Sequence, residues 1–408
     1  MAVAAPLAAA CGGGSSPPTT PGASCGDADG VWASDTHYCV SVWAQGLGNP
    51  RQMAFAPNGD LFVSNGSLTV LHDDDGNGTI SDGERTRFAT ASGLNHGIAF
   101  SRDFAFVYAS SATTVYRWAY SPGARQSSGA AQVVVANLPT GGHESRTLAF
   151  DSKGRLYVSV GSASNVDPAS LASTRALIRR FTIPDALPGG GLDYASGETF
   201  ASGMRNEVGL YVDARDRIWG VENGRDMLRS NGDIHNENPA EEVNLMDGAG
   251  SSFFGYPKCF SEFHRDGGMG PGTQWADVEL SSAEIKTDAW CRDLAQVHPP
   301  RGAMPAHWAP LGIIEYQGSM FPWGHDLIVT AHGSWNSDKP VGRLLARLHR
   351  DGDNIASVEP IVGERGPDGA LRQGQWDARP VDVREAADGA LYFSDDMGGR
   401  IFKLTYAN

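Results

Sequence analysis

The chain has 408 residues with 32 Lys and Arg against 47 Asp and Glu, a net charge of −15, which argues against a nucleic-acid partner because such proteins carry a basic balance. Glycine (51) and proline (23) are abundant, yet 41% of the residues are hydrophobic, so the chain is turn-rich and globular, not disordered. No apolar run reaches the ~18 residues of a membrane-spanning helix.

Residues 1–30 are Ala-rich and then rich in Gly, Ser, Pro and Thr, a composition that buries no core and reads as a leader followed by a flexible tether. The run Leu7-Ala8-Ala9-Ala10-Cys11-Gly12 resembles the end of a bacterial lipoprotein signal, whose cysteine becomes the lipidated first residue. Ordinary secretion is the alternative. The expectation is an exported protein, periplasmic or anchored to a membrane through a lipid on Cys11. Setting Cys11 aside leaves Cys25, Cys39, Cys259 and Cys291, an even number that suits two disulfides in an oxidising compartment. Three connectivities are open, and proximity in sequence favours Cys25 with Cys39 and Cys259 with Cys291; four buried thiols are the other reading. No Cys/His spacing of the zinc or covalent-haem type is present.

From residue 31 onward one pattern recurs: an apolar strand, a turn with Gly or Asp, then an alternating strand of the Leu-Tyr-Val-Ser type. The copies are RQMAFAPNGDLFVSN from Arg51, HGIAFSRDFAFVYAS from His96, RTLAFDSKGRLYVSV from Arg146, VGLYVDARDRIWGVEN from Val208, FPWGHDLIVTAHG from Phe321 and PVDVREAADGALYFSDD from Pro380. Phe62, Val107, Tyr157, Trp219, Ile328 and Tyr392 are equivalent positions. The first intervals fit the ~40–50 residues of a four-stranded propeller blade and the later ones carry insertions. The fold expected for 31–408 is therefore all-β, a six-bladed β-propeller, with a two-sheet or barrel arrangement as the competitor. The longest interval, around 225–310, holds Cys259 and Cys291 and reads as a disulfide-stapled loop over one face.

Within the first copy, DDDGNGTISDGE from Asp73 to Glu84 fits a calcium loop, with Asp73, Asp75 and Asn77 at positions 1, 3 and 5, Gly78 at 6, Thr79 at 7 and Glu84 at 12. Oxygen ligands at that spacing converge on one Ca²⁺ because the loop wraps the ion, and the final Glu can bind through both oxygens. Its flanks are strand-like, which places it inside a hairpin and not between two helices.

Further along come GGHESRTLAF (141–150), GMRNEVGLYVDARDRIWGVENGRD (203–226), PAEEVNLMDG (239–248), FFGYPKC (253–259), PAHWAPLG (305–312) and AHGSWN (331–336). In this ordered set the chain resembles the soluble sugar dehydrogenases that depend on pyrroloquinoline quinone (PQQ), the glucose/sorbosone dehydrogenase family, over about residues 45–407. The resemblance implies a propeller with PQQ at the channel mouth and Ca²⁺ on the cofactor. His143 occupies the position of the family's general base, and Arg205 and Asn206 fall on the pair that contacts the quinone. The backbone of Gly224 and Arg225 falls where carbonyls hold the cofactor's calcium, and Glu242 where a second, structural calcium is bound. Arg379 and, more loosely, Lys339 match the basic residues that bind the cofactor's carboxylates, and His307 stands in a stretch that replaces the family's aromatic-Pro-Thr segment. The sequence departs from the family in two further places: an Asp expected after the third repeat is replaced around Ser162 to Asn165, and a second Arg expected two residues beyond Arg379 is Val381.

A tricarboxylate in a chain of this charge needs a local cationic cluster, and Arg suits bidentate carboxylate recognition. A neutral His is suited to accept a sugar hydroxyl proton while hydride leaves for the quinone. The expected function is oxidation of an aldose or sugar aldehyde, with electrons passed to an external acceptor. A calcium-dependent sugar lactonase and a non-catalytic binding propeller remain as rivals, because fold alone does not separate the three.

Overall fold

The Leu-Tyr-Val-Ser signature becomes an almost wholly buried strand in every repeat: Leu61–Ser64, Phe106–Ser111, Leu156–Val160, Ile218–Glu222, Leu327–Ala331 and Leu391–Asp395. These are the second strands of six antiparallel sheets in the computed structural model, which describes residues 30–230, 232–248, 252–281 and 284–407. Each follows a first strand, at Met53–Phe55, Leu94–Phe100, Leu148–Phe150, Glu207–Val212, Pro310–Glu315 and Pro380–Glu385 in blades 1 to 6. The first strands touch one another in ring order, blade 1 to 2 and onward to 6 and back to 1, so they line the axis of a six-bladed propeller.

In four blades the Ser or Thr of the signature has a specific task. Ser110 Oγ donates to the Arg146 carbonyl at 2.7 Å, Thr330 Oγ1 to Val381 at 2.8 Å and Ser394 Oγ to Arg51 at 2.7 Å; Ser159 Oγ does the same to Glu207. Each bond leaves the second strand of one blade and ends on the inner strand of the next or on the residues just before it, satisfying a carbonyl that its own sheet leaves over, at a net gain of about 1 kcal/mol apiece. Between these polar stitches the blades pack aromatic and branched side chains, as where Phe62 meets Phe88, Phe100 and Tyr120 between blades 1 and 2.

The ring closes by joining the two ends of the chain. Blade 6 takes its inner three strands from Pro380–Glu385, Leu391–Asp395 and Arg400–Tyr406, and its outer strand from Tyr38–Ala44. Val31–Ala33 pairs with the outer strand of blade 5, Asn354–Arg365. Closure covers the Arg400–Tyr406 edge, at which that sheet would otherwise pair with another chain.

In the fifth repeat the structure moves the start of the hairpin. Its inner strand is Pro310–Glu315, upstream of the Phe321 at which the sequence pattern begins, because a longer turn separates it from Leu327–Ala331. Phe321 and Trp323 belong to that turn and fill the core, stacked at 4.1 Å beside Tyr38 and Tyr316.

The expected insertion resolves into two parts, because blade 4 keeps strands Glu241–Met246 and Gly302–Met304 within it. Between those strands lie a short hairpin (Cys259–Ser261 with Gln274–Ala276) and the single turn of helix Asp288–Cys291, started by Thr287 Oγ1 accepting from Trp290 N at 3.1 Å. The disulfide Cys259–Cys291 ties hairpin to helix, with Cα atoms 5.8 Å apart. Cys39 is disulfide-bonded, whereas its expected partner Cys25 and the lipid-anchor residue Cys11 lie outside the described residues. Among the described residues no helix is long and apolar enough to cross a membrane.

Candidate active site

The turns that precede the inner strands of blades 3 and 4 come together over Gly161. A Cβ at this position would lie 2.6 Å from His143 Cβ and 2.6 Å from Asn206 Oδ1, so glycine is what allows the two side chains to stand side by side. The His143 turn is clamped by the fully buried Arg146, which donates to the carbonyls of His143 (2.6 Å), Ser145 (3.0 Å), Ala112 (3.0 Å) and Pro139 (2.7 Å).

The surroundings of His143 fix its tautomer. Its Nδ1 lies 3.0 Å from both the carbonyl oxygen and the hydroxyl oxygen of Ser162, and that hydroxyl already donates its own proton to Ser164 O at 2.7 Å. Both neighbours are therefore acceptors, Nδ1 carries the proton, and the lone pair is on Nε2. Burial and the nearby charge of Arg205 lower the imidazole to about 4, so it is neutral at ordinary pH. Where the family resemblance implies an Asp after the third repeat, Ser162 supplies uncharged acceptors, which stabilise an imidazolium less than a carboxylate would.

Arg205 is buried and all five of its side-chain N–H donors have acceptors: Asn165 O (3.1 Å), Asn165 Oδ1 (3.1 Å), Asp226 Oδ2 (2.8 Å), Asn223 O (3.3 Å) and Gly224 O (2.7 Å). Its guanidinium thus acts as a scaffold that ties the loop of Asn165 and the 223–226 loop to its own turn. Asp226 is the hub, for its other oxygen accepts from Asn336 Nδ2 at 3.0 Å and lies 4.0 Å from His307 Nδ1. His307 is buried behind this hub and donates from Nε2 to the His235 carbonyl. Asn206 approaches Asn223 Oδ1 at 3.4 Å.

Arg379 lies across the ring, at the start of the blade 6 inner strand. Its Nε and Nη2 each donate at 3.0 Å, to the carbonyls of His332 and Gly333. Burial, with Arg343 and Arg51 close by, lowers its guanidinium, the mark of a cationic cluster that its surroundings do not fully neutralise. The carboxylate of Asp396 sits inside the cluster, 2.5 Å from Arg51 Nη1 and 2.9 Å from His332 Nε2. Burial raises that carboxyl, but His332 and Arg51 outweigh it and bring it down to about 2. Lys339 is exposed on the loop after His332.

Glu242 is buried in blade 4, directly opposite Glu222 in register. Its Oε1 accepts from Ser261 Oγ (2.5 Å) and Gln274 Nε2 (3.2 Å), while Oε2 has no partner. Burial raises both glutamates. A cavity of about 20 Å³ lies against Glu222, Gly224, Arg225, Glu242 and Ser261, enough for one small ion or water. Arg225 turns its side chain the other way, into ion pairs with Asp277 and Glu279.

The Asp73–Glu84 segment joins the third and fourth strands of blade 1, Leu68–Leu71 and Arg85–Ala89, so it is a hairpin loop as its flanks imply. Carboxylate oxygens of Asp73, Asp75 and Glu84 lie within 4.8 Å of one another. Asp73 Oδ2 accepts from Gly78 N at 2.9 Å, and Asn77 Oδ1 from Thr79 N at 2.8 Å. Hydrogen bonds from Ser81 and from the amides of Asp75 and Asp74 hold Glu84 down to about 2.

The structure therefore gathers His143, Arg205, Asn206, Gly224 and His307 around one network, sets Arg379 in a second cluster on the same ring, and keeps the Asp73–Glu84 loop apart on blade 1. Sequence reasoning missed Arg51, Arg146, Ser162, Asn165, Asp226 and Asp396. Arg51 was within reach, since it lies just before its inner strand, Met53–Phe55, much as Arg379 lies just before Pro380–Glu385. The others act through contacts between distant segments.

A six-bladed propeller carries a neutral histidine and an arginine cluster at the ends of its inner strands. The chain belongs to the TrAA12-like family, whose model matches residues 33–407, and the protein is an enzyme, an oxidoreductase. It is 30% identical over 387 residues to a "Pyrroloquinoline quinone-dependent sugar dehydrogenase" of Hypocrea jecorina, covering 88% of this chain and 86% of that one. Among solved structures, the holo form of the pyranose dehydrogenase PQQ domain from Coprinopsis cinerea superimposes with a TM-score of 0.81 at 26% identity, over 92% of this chain and 97% of that one. A calcium structure of the Trichoderma reesei AA12 enzyme gives 0.80 at 27% identity, over 93% and 97%.

Proposed function

We propose that the protein is an exported quinoprotein that oxidises an aldose or sugar aldehyde, with His143 Nε2 as the general base. The observation that carries this reading is the fixed tautomer of His143: both acceptors sit at Nδ1, so the free lone pair is on Nε2, on an imidazole that stays neutral. Arg379 and Arg51, with Arg343 close by, form a site suited to a polycarboxylate, and Lys339, exposed on the loop after His332, is a looser candidate for it. Asn206 and His307 would complete the cofactor-binding set.

When bound, PQQ supplies a quinone that accepts hydride, and Ca²⁺ beside it supplies positive charge. The carbonyls of Gly224 and Arg225 are the residues that would hold that ion. Arg205 orients them, since its Nη1 fixes the Gly224 carbonyl at 2.7 Å. His143 Nε2 takes the proton of the sugar hydroxyl, and burial together with the charge of Arg205 keeps the base unprotonated beforehand. An acceptor outside the protein completes the turnover. Glu242, with its unpartnered Oε2 facing a one-ion cavity, is the residue for a second Ca²⁺, and the Asp73, Asp75, Asn77, Thr79 and Glu84 loop for a third.

Titration of apoprotein with PQQ in Ca²⁺, followed by visible absorbance, tests the binding half of the reading. Saturable binding is expected, weakened about tenfold or more by Arg379→Ala, the size of a lost charge-assisted contact. Absence of any saturable change in the wild-type protein would contradict it.

A further inference from the structure

Four arginines are buried among the described residues: Arg117, Arg146, Arg205 and Arg225. Two of them are paired with carboxylates, Arg205 with Asp226 and Arg225 with Asp277 and Glu279, and Arg146 gives its N–H groups to four backbone carbonyls. Arg117 is the exception. It makes no ion pair among the described residues, and its only acceptors are the side-chain oxygens of Gln132, 2.8 Å from Nε, and Tyr108, 3.4 Å from Nη1. Both protons of Nη2 and one of Nη1 are left without an acceptor. The guanidinium lies over Phe106, 4.2 Å from the ring centroid, so its face is covered while its in-plane donors stay open. A buried cation is destabilising without a counter-charge, and the one that the chain omits is one that a ligand can bring.

Arg117 and Tyr108 line a pocket of about 410 Å³ between blades 2 and 3. That volume lies in the ~300–1,000 Å³ range of small-molecule sites. The turns that follow the inner strands of both blades, at 101–103 and 152–154, build it, so it lies toward the face opposite His143, whose turn precedes an inner strand. Phe150 and Ile183 give it an apolar wall, Phe150 meeting the Tyr108 ring edge-on at 4.9 Å. Arg102 and Lys153 stand exposed at its rim and form no ion pair among the described residues. Against these cations stand Asp103 and Asp185, and Asp103 is turned to its own hairpin, accepting from Ser101 Oγ at 2.7 Å and Ala105 N at 3.1 Å. The Tyr108 hydroxyl accepts from Arg117 and has no acceptor for its own proton, which burial holds on the phenol. A planar fork of N–H donors, a phenol O–H and an aromatic wall thus meet in one pocket of a chain whose net charge is −15.

We propose that this pocket is a second binding site, separate from the site of oxidation, for an organic anion: a carboxylate or phosphate carried on a flat apolar body. The anion's oxygens take the free donors of Arg117 and Tyr108, and its body lies against Phe150 and Ile183. The site is independent of the dehydrogenase reading. It is tested by calorimetric titration of the full-length protein with benzoate and with phenyl phosphate, using inorganic phosphate as the charge-only control and benzyl alcohol as the ring-only control. At least one aromatic anion is expected to saturate one site per chain, about tenfold or more tighter than either control. Arg117→Met keeps the stem over Phe106 and removes the charge. It should weaken that binding about tenfold or more and leave the ligand-free melting temperature unchanged or raised, because it deletes an unpaired buried charge. Tyr108→Phe should weaken binding several-fold in a protein of wild-type fold. Absence of saturable binding by both aromatic anions, or equal affinity in Arg117→Met, overturns the site. Inorganic phosphate binding as tightly as phenyl phosphate and benzoate overturns the organic ligand, and a melting temperature lowered by Arg117→Met makes the arginine structural and overturns the proposal as well.

Discussion

Ser162 and Arg205 together set the working range of His143. Burial disfavours the charged ring, Arg205 disfavours a second positive charge beside it, and the carbonyl and hydroxyl of Ser162 orient the ring without a carboxylate's negative charge, so the imidazole is lowered from its ordinary value to about 4. As the proposed base, His143 would work in its neutral form, so its contribution to kcat/KM is full above that value and is lost as the pH falls through it. The acid limb of the kcat/KM profile is therefore expected near pH 4, well below the ~6.5 of an unperturbed histidine. A limb near 6.5 would show that the environment of His143 is not the one described. The position of His143 was legible from its motif, but its tautomer and its acidity were not. They depend on Ser162, nineteen residues away, and on Arg205 from the next blade, and neither contact leaves a mark in local sequence.

Elements differ in how much of themselves they show in sequence. The Asp73–Glu84 loop is a local object whose twelve residues contain both the turn glycines and the oxygens, so its spacing sufficed to find it. Gly76 and Gly78 adopt φ of 68° and 80°, conformations that side-chain-bearing residues resist. The loop is also joined to blade 2: Arg125 binds Asp74 at 2.7 Å and Asp60 at 2.8 Å. Asp73→Ala combined with Glu84→Gln should lower bound calcium by about one ion per chain, counted by atomic absorption after gel filtration, with PQQ affinity unchanged. An unchanged count would leave the loop as a turn. The fifth hairpin was less legible, because the pattern was anchored on Phe321 and Trp323. Those residues are buried as an inner strand's would be, although they lie in a turn that packs under blade 6.

At the scale of the whole molecule, the repeat counted the blades but left the closure unread. The outer strand of blade 6 lies more than 330 residues upstream of the rest of its sheet, at Tyr38–Ala44, and carries no repeat signature of its own. Removing residues 1–44 should expose the Arg400–Tyr406 edge and yield aggregated protein, whereas removing residues 1–29 should leave a monodisperse fold whose melting temperature falls only by the loss of the Cys39 disulfide, read by light scattering and thermal denaturation. A shorter protein that stays folded and soluble without Tyr38–Ala44 would mean that the ring is held by blade packing alone. Closure also brings the two halves of the site onto one ring, His143, Arg205 and Asn206 from blades 3 and 4 and Arg51 and Arg379 from blades 1 and 6. The central claim is that these halves serve one reaction, sugar oxidation with His143 as base. It is tested most directly by dye reduction over a panel of aldoses and sugar aldehydes, using wild-type and His143→Ala proteins loaded with PQQ and Ca²⁺ to equal occupancy. The account predicts sugar-dependent turnover in the wild type and a loss of about a hundredfold or more in kcat for His143→Ala. Turnover in the variant within a few-fold of wild type at full PQQ occupancy would contradict it.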